Sequence, residues 1–466
     1  MTRLPSPLTL SRGALAVHLT LACLLGTLAL FVLVAAQPPA TAPQSDARVY
    51  ARLALGVHEF GVFGRYRDAG HAPMPAMDVA PLYPWFVAQL MRADSRLRDT
   101  LVCVLDVKDK RGAAHCPHGY YTLVHTQSAL LMLTLTLLWA TAYIWTARPL
   151  CAWAAWLAAL GAGIVPEFAP VILTEALTLP LGGLFTLALA LYIKRHGTAW
   201  PLLVAGLALG LLALTRPSFW YLLLACIAFA LLRTSVPRWR RGGAALLLMG
   251  AMAALVTLPW LVRNQIEFDR LALSGGDYGG RALLQRLAYN DMRLDEFGAA
   301  FIYWLPDFGD SLARRLLPAS SFVRLGWDDE QTFYRQGVKH MRADMRRGVV
   351  KTEVDTLLRD EVLRHPVRHA RATVALAWRG FFIGKTWGLV AWLCAALALW
   401  RGWRARQADF LLLLLPALFL CFFQAAVSVS IPRYNLLFLP PLALAMGMQL
   451  ERFSLRRRGK PKAAAS

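Results

Sequence analysis

The sequence predicts an all-α fold: a polytopic transmembrane helix bundle of about ten spans, with two outward-facing, mainly helical extramembrane segments. Hydrophobic residues make up 57 % of the 466 residues, and the mean hydropathy is +0.45, values far from those of a soluble domain. The apolar residues also form long runs, several of them near the roughly 20 residues with which a helix crosses a bilayer. Composition and run length together exclude a soluble globular protein.

The apolar runs divide the chain into a first span, a bundle and a C-terminal group of spans, separated by two polar segments. The candidate spans are Ala14–Ala36, Thr122–Thr146, Cys151–Val165, Val171–Ile193, Trp200–Leu214, Pro217–Leu232, Gly243–Val262, Gly380–Trp400, Phe410–Val427 and Asn435–Leu450. The resulting regions are a first helix (14–36), an outer loop (37–121), a bundle (122–262), an outer helical segment (263–379), C-terminal helices (380–451) and a basic tail (452–466).

Cationic residues gather on one side of the predicted spans. They include Arg148, Lys194, Arg195, Arg233, Arg238, Arg240, Arg241, Arg401, Arg404 and Arg406, together with the tail. The positive-inside rule makes these loops and both termini cytoplasmic, provided that Thr215-Arg216-Pro217 is a tight outer turn. This topology accounts for much of the net charge of +22 without a nucleic-acid partner. We expect a multi-pass protein of a bacterial inner membrane.

Asp46 begins an amphipathic stretch about ten residues after the first span. Val49, Leu53, Val57 and Phe60 follow it at helical spacing, which predicts a helix that could lie flat in the membrane interface. A carboxylate held there can act on a substrate whose tail lies in lipid and whose head lies in water. That placement suits the transfer of a sugar from a lipid carrier, with Asp46 as the candidate catalytic acid.

Further ionisable residues lie at the outer ends of spans, where they are functional candidates by default. Glu175, near the outer end of the fourth span, is the clearest, and Arg216, Arg263 and Arg433 with Tyr434 lie at comparable depth. Guanidinium groups match phosphate oxygens in a bidentate way, so these arginines suit a phosphodiester leaving group. The alternative interpretation is that each arginine extends to lipid headgroups.

Cys103 and Cys116 form the only cysteine pair in an outer segment, whereas the other five lie in predicted spans. An oxidising outer compartment favours a disulfide between them. His115 and His118 flank Cys116, but the spacing of a zinc motif is absent. We therefore expect a disulfide in preference to a metal site.

Seven weak motifs appear in a characteristic order over most of the chain. They are Asp46 to Gly61, Pro81-Leu82-Tyr83-Pro84, Pro166 through Thr174-Glu175-Ala176-Leu177, Gly206 to Leu214-Thr215-Arg216-Pro217, Pro259-Trp260 with Arg263-Asn264, His365-Pro366, and Arg433-Tyr434 to Pro440. This pattern resembles the C-type membrane glycosyltransferases, most closely family 39, which includes protein O-mannosyltransferases and lipid A aminoarabinose transferases.

The resemblance implies that Asp46 deprotonates an acceptor hydroxyl, which then attacks the anomeric carbon of a polyprenyl-phosphate-linked sugar with inversion. Family members often carry a second acid directly after the first, but Ala47 occupies that position here. Glu175, Glu59 or Asp78 are candidates for the second charge, and Glu59 and Tyr83 join the candidate substrate-binding residues. The sequence leaves open whether a divalent metal takes part, and no motif supports one.

The expected partners are a lipid-linked sugar donor, a glycan, lipid or protein acceptor, and membrane lipids. No Walker A loop, dinucleotide fingerprint or nucleophile elbow is present. Two alternatives stay open: an O-antigen ligase or polymerase, which the long central outer segment also fits, and a lipid or sugar transporter. A transporter should place its ionisable residues near the bilayer midplane, whereas this chain places them at the outer edge.

Overall fold

The structure is a computed structural model that describes residues 10–35, 45–68, 70–106, 115–195, 199–224, 226, 240–346, 356 and 358–458. Across these ranges the architecture is helical, and the single extended pairing is an isolated bridge between Gly64 and Pro75. The predicted all-α fold is therefore confirmed. The predicted residues Arg233 and Arg238, and the end of the basic tail from residue 459, lie outside the described ranges.

The helices of the described ranges follow one another along the chain. From the N-terminus they are α1 (Arg12–Ala35), α2 (Asp46–Phe60), α3 (Leu82–Ala93), α4 (Ser95–Asp106), α5 (Tyr121–Thr146), α6 (Pro149–Gly161), α7 (Ile164–Glu167), α8 (Glu175–Lys194), α9 (Trp200–Thr215), α10 (Arg240–Phe268), α11 (Gly276–Leu287), α12 (Leu294–Tyr303), α13 (Gly309–Leu316), α14 (Phe333–Arg346), α15 (Pro366–Phe381), α16 (Thr386–Arg404), α17 (Asp409–Val427) and α18 (Leu439–Arg458). A 3-10 helix, Pro432–Phe438, precedes α18.

Five of the described helices are long and apolar enough to cross a membrane, and a bent pair raises the number to six if it forms one span. The five are Arg12–Ala35, Tyr121–Thr146, Glu175–Lys194, Leu246–Phe268 and Asp409–Val427, and the pair, bent by 104°, is Pro366–Phe381 with Thr386–Arg404. Shorter apolar helices are Pro149–Gly161 and Trp200–Thr215. The chain is a multi-pass membrane protein.

Several predicted spans differ in the structure, and one is described only in part. Cys151–Val165 is shorter than expected, because α6 ends at Gly161 and Gly163 adopts a positive φ of 69° that breaks the helix before α7. Asn435–Leu450 begins as a 3-10 helix and continues in α18. Of Pro217–Leu232, residues 217–224 and 226 are described, and the rest lies outside the described residues.

The chain divides into two compact units. The first unit comprises Met1–Leu273, Ala391–Leu413 and Leu439–Ser466, and the second comprises Ser274–Val390 and Leu414–Phe438.

Small residues allow close packing of apolar helices in the first unit. Gly206 and Gly210 lie one turn apart on α9, and a Cβ atom at either glycine would collide with α10, at Met249 and Val256 respectively. This small-xxx-small arrangement lets two backbones approach, which is how helices in lipid gain packing energy.

Helices α2, α3 and α4 pack together beside this bundle. The apolar face of α2 is buried, with Ala51, Leu53 and Leu55 fully inaccessible to solvent, and it belongs to a core shared with α3, α4 and the start of α8. The predicted amphipathic helix is confirmed at its predicted starting residue. Its apolar face packs against protein, and its position in the membrane interface stays a prediction. Hydrophobic periodicity reports that a face is buried but not what covers it.

The second unit is built around α11 to α15. Arg286 on α11 is fully buried there and donates hydrogen bonds to Ala425 O, His369 O and Asn290 Oδ1. Its guanidinium thereby joins α11 to α15 and to the end of α17. Burial lowers the pKa of Arg286 to about 9, with the partial negative charge of Tyr289 opposing the shift.

Candidate functional site

Asp46 is the first residue of α2 and is partly exposed. A negative charge in the first turn faces the positive end of the helix dipole, which stabilises it. The rest of α2 is fixed by its buried face and by the hydrogen bond from Tyr66 N to Arg52 O at 3.0 Å. The carboxylate therefore projects from the end of a helix that is held firmly along its length.

Tyr50 lies one helical turn after Asp46, on the same face of α2. Its ring meets the ring of Tyr83 edge-on, with centroids 5.5 Å apart. Tyr83 is fully buried and donates a hydrogen bond from its hydroxyl to Gln127 Oε1 at 2.8 Å. Burial, followed by the negative charge of Glu175, raises the pKa of Tyr83 well above 10, so the phenol remains neutral and donates.

Gln127 connects α5 to the loop that leads into α8. Its Nε2 donates to Ala169 O at 2.8 Å and to Val171 O at 3.1 Å, and its side chain is fully buried. Gln127 is not among the residues predicted from the sequence motifs. A signal was present, because a glutamine within an apolar span must find hydrogen-bond partners there.

Glu175 and Arg216 form an ion pair at the junction of two helices. Glu175 begins α8 and is fully buried, and Arg216 directly follows the end of α9. Arg216 Nη2 lies 2.5 Å from Glu175 Oε1, and Arg216 Nε donates to Thr174 Oγ1 at 2.9 Å. The backbone of Arg216 is extended, as expected for the predicted turn before Pro217.

Arg263 lies near the end of α10 and reaches the loop between α2 and α3. Its Nη1 donates to Ala76 O and to Asn264 Oδ1, both at 2.8 Å. The guanidinium also lies 4.8 Å from the ring centroid of Trp260 and 5.1 Å from that of Phe268. The guanidinium therefore makes cation–π contacts, and its Nη1 is used for hydrogen bonds within the protein.

Glu59 and Asp78 both form ion pairs within the outer segment. Glu59 Oε1 accepts a hydrogen bond from Arg98 Nε at 2.7 Å, which joins α2 to α4, and Asp78 pairs with Arg65 at 2.6 Å. The hydrogen bond from Arg98 holds the pKa of Glu59 below its usual value of 4.5. Both acids thus have protein partners that account for their charge.

Cys103 and Cys116 are joined by a disulfide in the structure, with their Cα atoms 5.7 Å apart. The bond ties the end of α4 to the segment that enters α5. Among the residues that the structure describes, no group of three or more His, Cys, Asp or Glu side chains is arranged to hold a metal ion.

Arg433 and Tyr434 lie in the second unit, in the 3-10 helix Pro432–Phe438. The guanidinium of Arg433 lies 5.6 Å from the ring centroid of Tyr434. The remaining predicted site residues all lie in the first unit. There a ring contact and a hydrogen bond link Tyr50, Tyr83 and Gln127, and Asp46 lies one turn before Tyr50. Glu175 forms an ion pair with Arg216.

Comparison with known proteins places this arrangement within a known architecture. No protein-family model and no curated protein matches the chain. Among solved structures it is similar to ArnT from Cupriavidus metallidurans bound to undecaprenyl phosphate, with 14 % identity and a TM-score of 0.51 over 97 % of this chain and 62 % of that one. It is also similar to the Archaeoglobus fulgidus oligosaccharyltransferase AglB in complex with an inhibitory peptide and a dolichol-phosphate, with 11 % identity and a TM-score of 0.50.

The second similarity covers 96 % of this chain and 52 % of AglB, so the chain spans between half and two thirds of the length of these two structures. At identities this low, the structural similarity establishes the fold alone. This fold agrees with what the sequence motifs implied. The chain therefore has the C-type fold of polytopic membrane proteins to which ArnT and AglB belong.

Proposed function

We propose that this protein is an integral-membrane glycosyltransferase that moves a monosaccharide from a polyprenyl-phosphate-linked donor to an acceptor on the outer face of the membrane. One observation carries the proposal: Asp46 begins a helix fixed in the core, within a fold shared along 97 % of the chain with a structure bound to undecaprenyl phosphate. Partial exposure leaves the carboxylate accessible to substrate.

The chemistry assigned to Asp46 is that of a general base. Its carboxylate takes the proton of the acceptor hydroxyl while the acceptor oxygen attacks the anomeric carbon. The bond between that carbon and the phosphate oxygen breaks, and polyprenyl phosphate leaves with the electron pair. Attack opposite the leaving group inverts the anomeric configuration. A positioned base of this kind supplies about 10²–10⁴-fold in rate.

Charge on the leaving phosphate needs compensation, which the arginines can provide. We assign this role first to Arg433 and then to Arg263, which uses one nitrogen for protein contacts. Arg216 already pairs with Glu175, so we assign this pair to holding α8 and α9 together at the site. Tyr83 is fully buried, and we assign it a supporting role behind Tyr50.

The decisive experiment compares glycolipids and surface glycans by mass spectrometry in a deletion strain and in the same strain complemented with the wild-type gene. We expect one pentose, hexose or aminosugar mass to disappear from one acceptor and to return on complementation. That mass difference would identify both the sugar and the acceptor.

Other outcomes of the same experiment would favour the alternative functions. Loss of a whole oligosaccharide chain would indicate a ligase or polymerase. Loss of the acceptor's sugar together with accumulation of the lipid-linked sugar on the inner side would indicate a transporter, because a missing transferase leaves that donor on the outer side. Either result would overturn the proposal of monosaccharide transfer.

A further inference from the structure

The turn that carries Arg433 is anchored on both sides by buried polar contacts. Ser430, three residues before Arg433, is fully buried and accepts a hydrogen bond on its backbone oxygen from Arg379 Nε at 2.8 Å. Asn435, two residues after it, is 2 % exposed and donates from Nδ2 to Gly380 O at 3.1 Å. The two anchors, Arg379 and Gly380, are consecutive residues on α15.

Gly380 lies where the turn and α15 approach each other most closely. A Cβ atom at this position would lie 2.5 Å from Asn435 Nδ2, 2.6 Å from Ser430 Oγ and 3.2 Å from Cys421 Sγ. These distances are shorter than ordinary van der Waals contact, so a Cβ at residue 380 would push aside the side chains of Asn435 and Ser430. Glycine at residue 380 therefore leaves room for the Asn435 amide to bond to the backbone of α15.

Arg379 is itself held in place by aromatic rings. Its guanidinium lies 4.5 Å from the ring centroid of Trp327 and 5.0 Å from that of Trp304, and Nη1 donates to the Tyr289 hydroxyl at 3.4 Å. Its residue exposure is 6 %, and no carboxylate pairs with it among the described residues. A cation packed in this way has few alternative positions, so the Ser430 carbonyl that it binds is fixed as well.

We infer that Arg379, Gly380 and Asn435 are positioning residues that set where the Arg433 guanidinium meets the phosphate of the lipid-linked donor. The inference rests on the proposed function. Its physical basis is preorganisation: a guanidinium fork binds a phosphate in a bidentate way only when its carrier backbone is fixed. Misplacing a positioned group at an active site by about 1 Å can lower the reaction rate about 100-fold.

The test uses the purified full-length protein in detergent, titrated with undecaprenyl phosphate as the probe. Gly380→Ala is the main variant, and Gly298→Ala is its matched control, since Gly298 lies on α12 of the same unit with no atom within 4 Å of an added Cβ. We expect Gly380→Ala to raise the Kd by at least about tenfold, and Gly298→Ala to leave it unchanged.

A double-variant cycle separates positioning from general loss of structure. If Gly380 acts through Arg433, then adding Gly380→Ala to Arg433→Ala should change the Kd by less than about twofold. Asn435→Ala, which keeps space in the turn, covers the case in which Gly380→Ala does not fold, and it should raise the Kd by roughly three- to tenfold.

The outcomes distinguish this inference from the proposed function. If the wild-type protein does not bind undecaprenyl phosphate, the proposed function fails and the inference fails with it. If Arg433→Ala weakens binding while Gly380→Ala and Asn435→Ala behave like Gly298→Ala, only the inference is overturned. Additive effects of Gly380→Ala and Arg433→Ala would also overturn it, because they would show independent action.

Discussion

Arg216 and Glu175 form an ion pair, 2.5 Å from Nη2 to Oε1, that joins the end of α9 to the start of α8. Glu175 is fully buried and Arg216 nearly so, with 15 % of its side chain exposed. Two charges removed from water in this way depend on each other, because either one alone would carry its full desolvation cost. The pair therefore links the two helices through charges that each need the other.

Removing one member of this pair should destabilise the protein more than removing both. We expect Arg216→Met to cost about 3–5 kcal/mol, because it leaves the Glu175 charge buried without its counter-ion. Arg216→Met combined with Glu175→Met should recover much of that loss, since two apolar side chains of similar volume carry no desolvation penalty. Thermal unfolding of the three proteins in the same detergent measures the difference. A double variant less stable than Arg216→Met would contradict this account.

Asp46→Asn should leave the protein folded in membranes but inactive. The amide keeps the size of the side chain and removes the basic oxygen, so the rate should fall by about 100-fold or more. Asp68→Asn is the matched control, because Asp68 is an exposed acid of the same outer segment that bonds to Gly70 N and His71. Initial rates are compared at equal membrane abundance. Activity of Asp46→Asn within about tenfold of wild type would exclude Asp46 as the base.

Variants of Arg433 and Arg263 should differ in the apparent KM for the donor. Arg433→Ala should raise the apparent donor KM most, and Arg433→Lys should raise it less, because lysine keeps the charge but loses the planar fork. Arg263→Ala should raise the KM and also lower the melting temperature, since it removes the contact to Ala76 O. Unchanged KM and kcat for both alanine variants, at normal abundance, would leave these arginines as headgroup contacts and would remove the main support for a phosphate-linked donor.

The disulfide between Cys103 and Cys116 should protect both thiols from maleimide in exported protein until reductant is added. In the chain-entropy model a loop of roughly 15 residues gains about 3 kcal/mol from such a bond, and these cysteines are separated by 13 residues. Cys103→Ser should therefore lower the melting temperature. Intact-mass analysis after labelling, with and without reductant, provides the measurement, and full labelling of both thiols without reductant would rule the bond out.

The ion pair between Glu59 and Arg98 should make the outer segment less stable in acid. The pKa of Glu59 is lowered in the folded protein, chiefly by the hydrogen bond from Arg98. The stability that this ion pair contributes is therefore fully present above about pH 4.5, the ordinary pKa of a glutamate. It is lost as the pH falls through the lower pKa that Glu59 has in the folded protein. Glu59→Gln should reduce the difference in melting temperature between pH 7 and pH 4. A variant with the same pH dependence as wild type would show that this pair contributes nothing measurable.

The sequence by itself determined the class of the protein. Long apolar runs require helices in a membrane, because backbone groups in lipid must bond within their own segment. Local spacing also placed the start of α2 at Asp46, since this boundary depends on nearby residues. The order of short motifs then implied the C-type fold, which the solved structures share.

Only the tertiary structure decided which polar groups meet. Arg216 and Glu175 are 41 residues apart, and Arg379 and Ser430 are 51 residues apart. Periodicity reports the face on which a residue lies but not the partner that faces it, and so the residues that Gln127 and Gly380 contact could not be identified from the sequence. The covering of α2 by protein has the same origin, because a buried apolar face looks alike in sequence whether lipid or other helices cover it.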